Sequence, residues 1–109
     1  MGITKTDLFT QEQNELAQMA KAFGHPARIA IIQYLLKANQ CINGDLVQEL
    51  GLAQATISQH LKELKSLGII QGTVEGTAMC YCINREVWEN ISKNFIALFD
   101  QYKPMESCC

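Results

Sequence analysis

The chain has 109 residues, of which 48% are hydrophobic and 18% charged, and a net charge of −2. That length holds one domain with one modest core, and that composition excludes an intrinsically disordered chain. A weakly acidic balance argues mildly against nucleic acid unless the cations gather on one face. No apolar run approaches the ~18 residues of a membrane span. The start, MGITKTDLFTQEQNEL, lacks the apolar core of a secretory signal, so the expected location is the cytoplasm, where thiols stay reduced. Five cysteines, an odd number, argue against a complete disulfide framework, and the adjacent Cys108 and Cys109 are poor partners for each other.

Thr10-Gln11-Glu12-Gln13 reads as a capping box that starts a first helix. Leu16, Met19, Ala20 and Phe23 recur along it at helical spacing, and Gly24 stops it. Pro26 suits the first turn of a second helix, because its missing N–H would have no partner there. Ile29, Ile31, Ile32, Leu35 and Leu36 make that helix dense enough in apolar groups to be a buried one. Residues 39–44 are a polar break, and Asn43 is a reasonable N-cap for a third helix with Leu46, Val47 and Leu50 facing inward. Gly51 ends it, a short turn follows, and a fourth helix runs over 54–67 until Gly68. Residues 69–74 and 77–83, joined at Glu75-Gly76, read as a β-hairpin whose register the loose turn signal leaves open. Asn84 caps a last helix, along which Val87, Trp88, Ile91, Phe95, Leu98, Phe99 and Tyr102 repeat at three and four, with Pro104 beyond its end. Two short helices joined by a tight turn and followed by a hairpin predict a winged helix-turn-helix: mainly α, five helices, with a small β-hairpin wing.

The second helix of the pair carries the functional signal. Ile57, Leu61 and Leu64 lie on one side, while Thr56, Ser58, Gln59, Lys62 and Ser66 fan across the other. A merely solvated face favours Glu and Lys. This face is rich in Gln, Thr and Ser near its N-terminal end, groups that reach base edges in a major groove, and a helix N-terminus favours a nearby phosphate. Lys62 and Lys65 are phosphate candidates, and His60 sits on the flank. The bland alternative is an ordinary polar helix face.

The stretches FGHPARI (23–29) and LVQELGLAQATISQHLKEL (46–64), then Gly68-Ile69-Ile70 and the wing, resemble the ArsR/SmtB family of bacterial repressors, with the likeness running from about residue 12 to residue 100. The resemblance implies a homodimer on a palindromic double-stranded operator, released by an inducer. It carries Gln54, Thr56, Ser58, Gln59, His60 and Lys62 over as recognition-helix positions. The wing departs from the family pattern. Its turn is Glu75-Gly76, where the family usually has Arg or Lys, and Cys80 and Cys82 follow. Wing phosphate contacts are therefore not carried over, and the salt dependence of DNA binding is expected to be shallow.

The chain then divides, within a single domain of residues 1–109, into dimerisation helices (10–23 and 84–103), the helix-turn-helix (43–67), the wing (69–83) and a cysteine-bearing tail (104–109). The last helix suits dimerisation on its own residues. Trp88, Phe95, Phe99 and Tyr102 make a stripe wider than so small a monomer covers. The resemblance agrees, pairing the first and last helices across a twofold axis.

The cysteines are the remaining candidate ligands. One common metal site of the family is a Cys-x-Cys pair before the recognition helix; here Cys41 stands there with Asn43 in the second position. Another uses Asp, His and Glu of the last helix for zinc, and residues 85–103 contain no histidine. What remains is thiols alone, which select soft acceptors such as As(III), Sb(III), Cu(I), Cd(II) or Hg(II). Cys108 and Cys109 resemble C-terminal cysteine pairs of some members, and Cys41 could complete a three-sulfur site. Cys80 and Cys82 share one face of a strand and are second candidates, against a reading as small apolar fillers under the wing. The bland readings of the others are a structural thiol at Cys41 and passengers in the tail.

The resulting expectation is a repressor with no obligatory cofactor. It leaves its operator when Cys41, Cys108 and Cys109 bind As(III), Sb(III) or another soft metal ion. Three alternatives stand beside it. A redox or persulfide sensor would bridge Cys41 to a tail thiol, although family persulfide sensors place a cysteine near the position of Gln33. A winged helix could also serve protein interaction alone. An enzyme is disfavoured, since His25 and His60 have no sequence companion suited to catalysis and no Gly-rich phosphate loop is present.

Overall fold

A computed structural model of the chain describes residues 8–38, 46–73 and 80–104. Its elements in order are α1 (Gln11–Ala22), α2 (Pro26–Ala38), α3 (Leu46–Leu50), α4 (Gln54–Ser66), β1 (Ile70–Thr73), β2 (Cys80–Ile83) and α5 (Arg85–Phe99). The expected architecture is the one observed: mainly helical, with a two-stranded antiparallel hairpin after the helix pair. Among the described residues no helix is long and apolar enough to cross a membrane.

Local chemistry explains where the helices begin. The capping box of α1 is complete: Gln13 N–H donates to Thr10 Oγ1 at 3.1 Å, and Thr10 N–H donates to Gln13 Oε1 at 3.0 Å. Pro26 takes the first position of α2, and the ring of His25 caps it, its Nδ1 accepting the Ala27 N–H at 3.0 Å. Asn84 caps α5, its Oδ1 accepting the Val87 N–H at 3.2 Å. The Asn43 proposed as the α3 cap lies outside the described residues.

The end of α4 sets the direction of the wing. Gly68, at φ 80°, follows the helix, its N–H donating to Lys65 O at 2.9 Å, while Ile69 N–H donates to Leu64 O at 3.0 Å. This pair of bonds is a Schellman motif, and its usual apolar contact is available, since Ile69 and Leu64 are both buried. The chain then enters β1 with the register Ile70↔Ile83, Gln71↔Cys82, Gly72↔Tyr81 and Thr73↔Cys80. β1 begins at Ile70, one residue later than expected, and residues 74–79, with the Glu75-Gly76 turn, lie outside the described residues.

The core gathers Ile31, Ile32 and Leu35 of α2, Leu46 of α3, Ile57, Leu61 and Leu64 of α4, Ile69, Ile70 and Tyr81 of the wing, and Ile91 of α5. The second helix is the buried one, through Ala27, Ile31, Ile32 and Leu35, although Leu36 points outward at 45% exposure. One expectation needs correction. The last helix stops at Phe99 rather than 103, and Tyr102 lies beyond it at 76% exposure.

Candidate nucleic-acid interface

α3 and α4 are joined through Gly51, whose φ of 69° and N–H bond to Val47 O at 2.8 Å close α3 and turn the chain in two further residues. α4 then anchors itself by one row. Ile57, Leu61 and Leu64, at i, i+4 and i+7, are no more than 2% exposed. That row fixes which side faces away from the core. Of the sequence-predicted positions, Gln54, Thr56, Gln59, Lys62 and Lys65 are exposed, and Ser58 is half-buried. Gln54 Nε2 donates to Ser58 Oγ at 3.2 Å across one helical turn, so these two polar groups are already aligned on the surface. Ala53 occupies the N-cap position and offers no side-chain acceptor to the first turn. Exposed N–H groups at a helix start attract phosphate.

His60 is placed differently from its neighbours. Its ring packs on the ring of His25, with centroids 4.6 Å apart and planes tilted by 51°. Burial holds its pKa below the ordinary value; the charges of His25 and Arg28 push the same way, and Glu63 opposes them. Its imidazole is therefore a mainly neutral packing group at neutral pH rather than a cation offered to a phosphate.

Beside it lies a connection that the sequence did not reveal. Arg28 of α2 pairs with Glu63 of α4 at 3.0 Å, the Arg side chain being 12% exposed and the Glu side chain 45%. Arg28 Nε and His60 Nδ1 are both buried, without a hydrogen-bond partner among the described residues. His25, Arg28, His60 and Glu63 thus form one polar contact between the start of α2 and the middle of α4. The HPAR stretch was visible in the sequence as part of a motif, but nothing in it named Glu63 as a partner 35 positions later.

The wing cysteines lie on the side of β2 opposite Tyr81. Tyr81 is 1% exposed and fills the space under the wing. Cys80 is exposed and Cys82 half-buried, both as free thiols. The reading of these two as fillers beneath the wing is corrected: Tyr81 brings far more apolar area and takes the inner face. Cys41, Cys108 and Cys109 lie outside the described residues. Among the described residues no group of three or more His, Cys, Asp or Glu side chains is placed to hold a metal ion.

The model of the bacterial regulatory protein arsR family matches residues 25–71, from the His25 cap through α4 and into β1. An uncharacterized HTH-type transcriptional regulator of Methanocaldococcus jannaschii is 36% identical over 73 residues, covering 67% of this chain and 82% of that one. The chain belongs to the arsR family. The HTH-type transcriptional repressor SmtB of Mycobacterium tuberculosis is 36% identical over 64 residues, or 59% of this chain and 47% of the relative. The biofilm growth-associated repressor of Xylella fastidiosa is 32% identical over 69 residues, 63% of this chain and 59% of the relative. The arsR-family chain thus spans less than two-thirds of these two repressors. The family and the named relatives are transcription regulators, not enzymes, and this chain is a helix-turn-helix regulator of the ArsR/SmtB type.

Proposed function

We propose that this chain is a DNA-binding transcriptional repressor of the ArsR type that sits as a homodimer on a double-stranded operator in the cytoplasm. The observation that carries the reading is the outward face of α4. Gln54, Thr56, Gln59, Lys62 and Lys65 are displayed while Ile57, Leu61 and Leu64 hold the helix to the core. Two of the named relatives are repressors. The dimer is supported by apolar side chains left in the open near the start of α1 and the end of α5: Leu8, Phe9, Ile96, Leu98, Phe99 and Tyr102 are 42–76% exposed. A second copy laid against them would bury that surface. It would also present two α4 helices ~34 Å apart to successive major grooves, which lets a weakly acidic chain bind DNA by doubling its contacts.

We further propose that a thiophilic inducer, trivalent arsenic or antimony or another soft metal ion, releases the dimer by binding cysteine thiolates, with Cys41, Cys108 and Cys109 as the ligands. The support is the chemistry of the donors: this chain offers five thiols and no histidine on its last helix.

Fluorescence-anisotropy titration of the reduced protein on DNA from its own promoter tests both statements. Arsenite, a trivalent methylarsenical, Cd(II) and a polysulfide are added in turn. The expected result is tight binding, released by an arsenical and not released in Cys108→Ser/Cys109→Ser. Release by polysulfide alone would move the chain to redox sensing. Failure to bind any promoter DNA would sink the repressor reading.

A further inference from the structure

The geometry points to a second thiol site, on the outer face of the wing, in which Cys80 and Cys82 together take a trivalent arsenical carrying one carbon substituent. The inference deepens the thiophilic-inducer reading and rests on it for any regulatory consequence.

Strand parity puts the two sulfurs on one side, and Tyr81 between them is buried on the other. The antiparallel register places Gln71 and Thr73 beside them on the same outer face. The Gln71 amide already reaches the sulfur of Cys82, with Nε2 at 3.8 Å from Sγ, where it can donate to a bound thiolate and orient it.

Spacing favours chelation over oxidation. Alternate strand residues stand ~6.5–6.8 Å apart at Cα, the outer edge of the ~4.4–6.8 Å that a disulfide spans. A disulfide would also demand sulfurs at ~2.05 Å. A soft centre between them relaxes that demand: two bonds of ~2.3 Å, the length of a metal–thiolate bond, at the near-right angle of a pyramidal centre hold the sulfurs ~3.4 Å apart.

The number of donors among the described residues selects the ligand. Zinc and similar divalent ions fill four positions, and no third His, Cys, Asp or Glu joins this pair among the described residues. A monosubstituted trivalent arsenical needs two sulfurs and no more, because carbon holds its third position. Two As–S bonds form, the arsenic-bound oxygen leaves as water with the two thiol protons, and no electron is transferred. The adduct is neutral, and its strand neighbours Gln71 and Thr73 are uncharged.

The test uses the full chain with Cys41→Ser/Cys108→Ser/Cys109→Ser, so that the wing pair supplies its only thiols. Phenylarsine oxide is added at one equivalent, excess glutathione strips monothiol adducts, and gel filtration removes both. Thiols reacting with Ellman's reagent are expected to fall from two per chain to none, with one phenylarsenic per chain by native mass spectrometry. Cys80→Ser in that background should hold no arsenic. Two reactive thiols surviving the treatment would overturn the site. If the triple variant does not fold, Cys82→Ser in the otherwise unaltered chain decides the same question: one phenylarsenic fewer than wild type supports the site, and equal loading overturns it. DNA binding is read separately. Wing thiols that are masked while the protein stays on its operator would refute a regulatory role for the wing pair and leave the site itself standing.

Discussion

Glu63→Gln removes one charge from α4 with almost no change of shape. Arg28 is left behind with its guanidinium mostly desolvated, since its side chain is only 12% exposed. Breaking a fully buried ion pair costs ~3–5 kcal/mol, and losing an exposed one costs ~0–1 kcal/mol. Glu63, at 45% exposure, screens its end of the pair, so this case falls between the two. We expect a loss of about 2 kcal/mol. With a urea slope of ~2 kcal/mol per molar, the midpoint should fall by about 1 M. The assay is urea unfolding followed by circular dichroism at fixed protein concentration, since any dimerisation would make the midpoint depend on concentration. Arg28→Met/Glu63→Leu should recover most of the loss, because the cost lies in the stranded charge and not in the missing contact. A Glu63→Gln protein within ~0.5 kcal/mol of wild type would place the pair among ordinary surface pairs and refute the reasoning.

Further outcomes follow from single side chains. His60, facing His25, Arg28 and Glu63, has a folded-state pKa depressed below its ordinary 6.5. Its contribution to stability is therefore complete above that pH and is lost as pH falls through the depressed value. Urea midpoints measured from pH 8 to pH 5 should drop toward acid, and less steeply in His60→Gln. Gly72 has φ 113°, and a Cβ there would stand on the Cys80 carbonyl oxygen. Gly72→Ala should cost ~1–3 kcal/mol and speed amide exchange in both wing strands. Phe99, at 67% exposure, is an anchor of the proposed dimer; Phe99→Asp should shift sedimentation from two chains to one. On operator DNA, Gln59→Ala should cost ~1–3 kcal/mol of sequence discrimination, whereas Lys65→Ala should weaken all sequences alike and lower the salt slope by about one.

The starts of α1, α2 and α5 were legible because each is written locally. Thr10, Pro26 and Asn84 carry their capping chemistry in the side chain itself, and the Gly68-Ile69 exit from α4 needs only a glycine and one apolar residue. The end of α5 was not legible. Apolar spacing continues to Tyr102, and periodicity records which face is apolar without recording where its cover stops. The outward turn of Leu36 was not legible for the same reason, since density of apolar residues does not say whether something packs on every side. For Cys80 and Cys82, parity gave their common face, but the choice of inner face depended on weighing one tyrosine against two thiols. The pairing of His60 with His25 and of Glu63 with Arg28 joins elements 35 residues apart, and no local signal carries a contact of that range.

The root of the wing joins these parts through backbone bonds. Ile69 N–H is held by Leu64 O at the end of α4, and Ile69 O accepts the N–H of Asn84 at 2.8 Å. Asn84 in turn caps α5 through Val87. One residue thus fastens the outward-facing helix, the hairpin and the helix bearing the exposed Ile96, Leu98 and Phe99. Cys82 is two positions from Asn84 and opposite Gln71, itself two positions from Ile69. A ligand that changed the twist of the hairpin at Cys80 and Cys82 would load this junction before any other part of the fold. The root of the hairpin is rigid, because Ile69, Ile70 and Tyr81 are buried and their strands are paired. The strain would pass to α4 or to α5. Those are the two elements that the proposed repressor would hold in register, α4 on the groove and α5 across the proposed dimer.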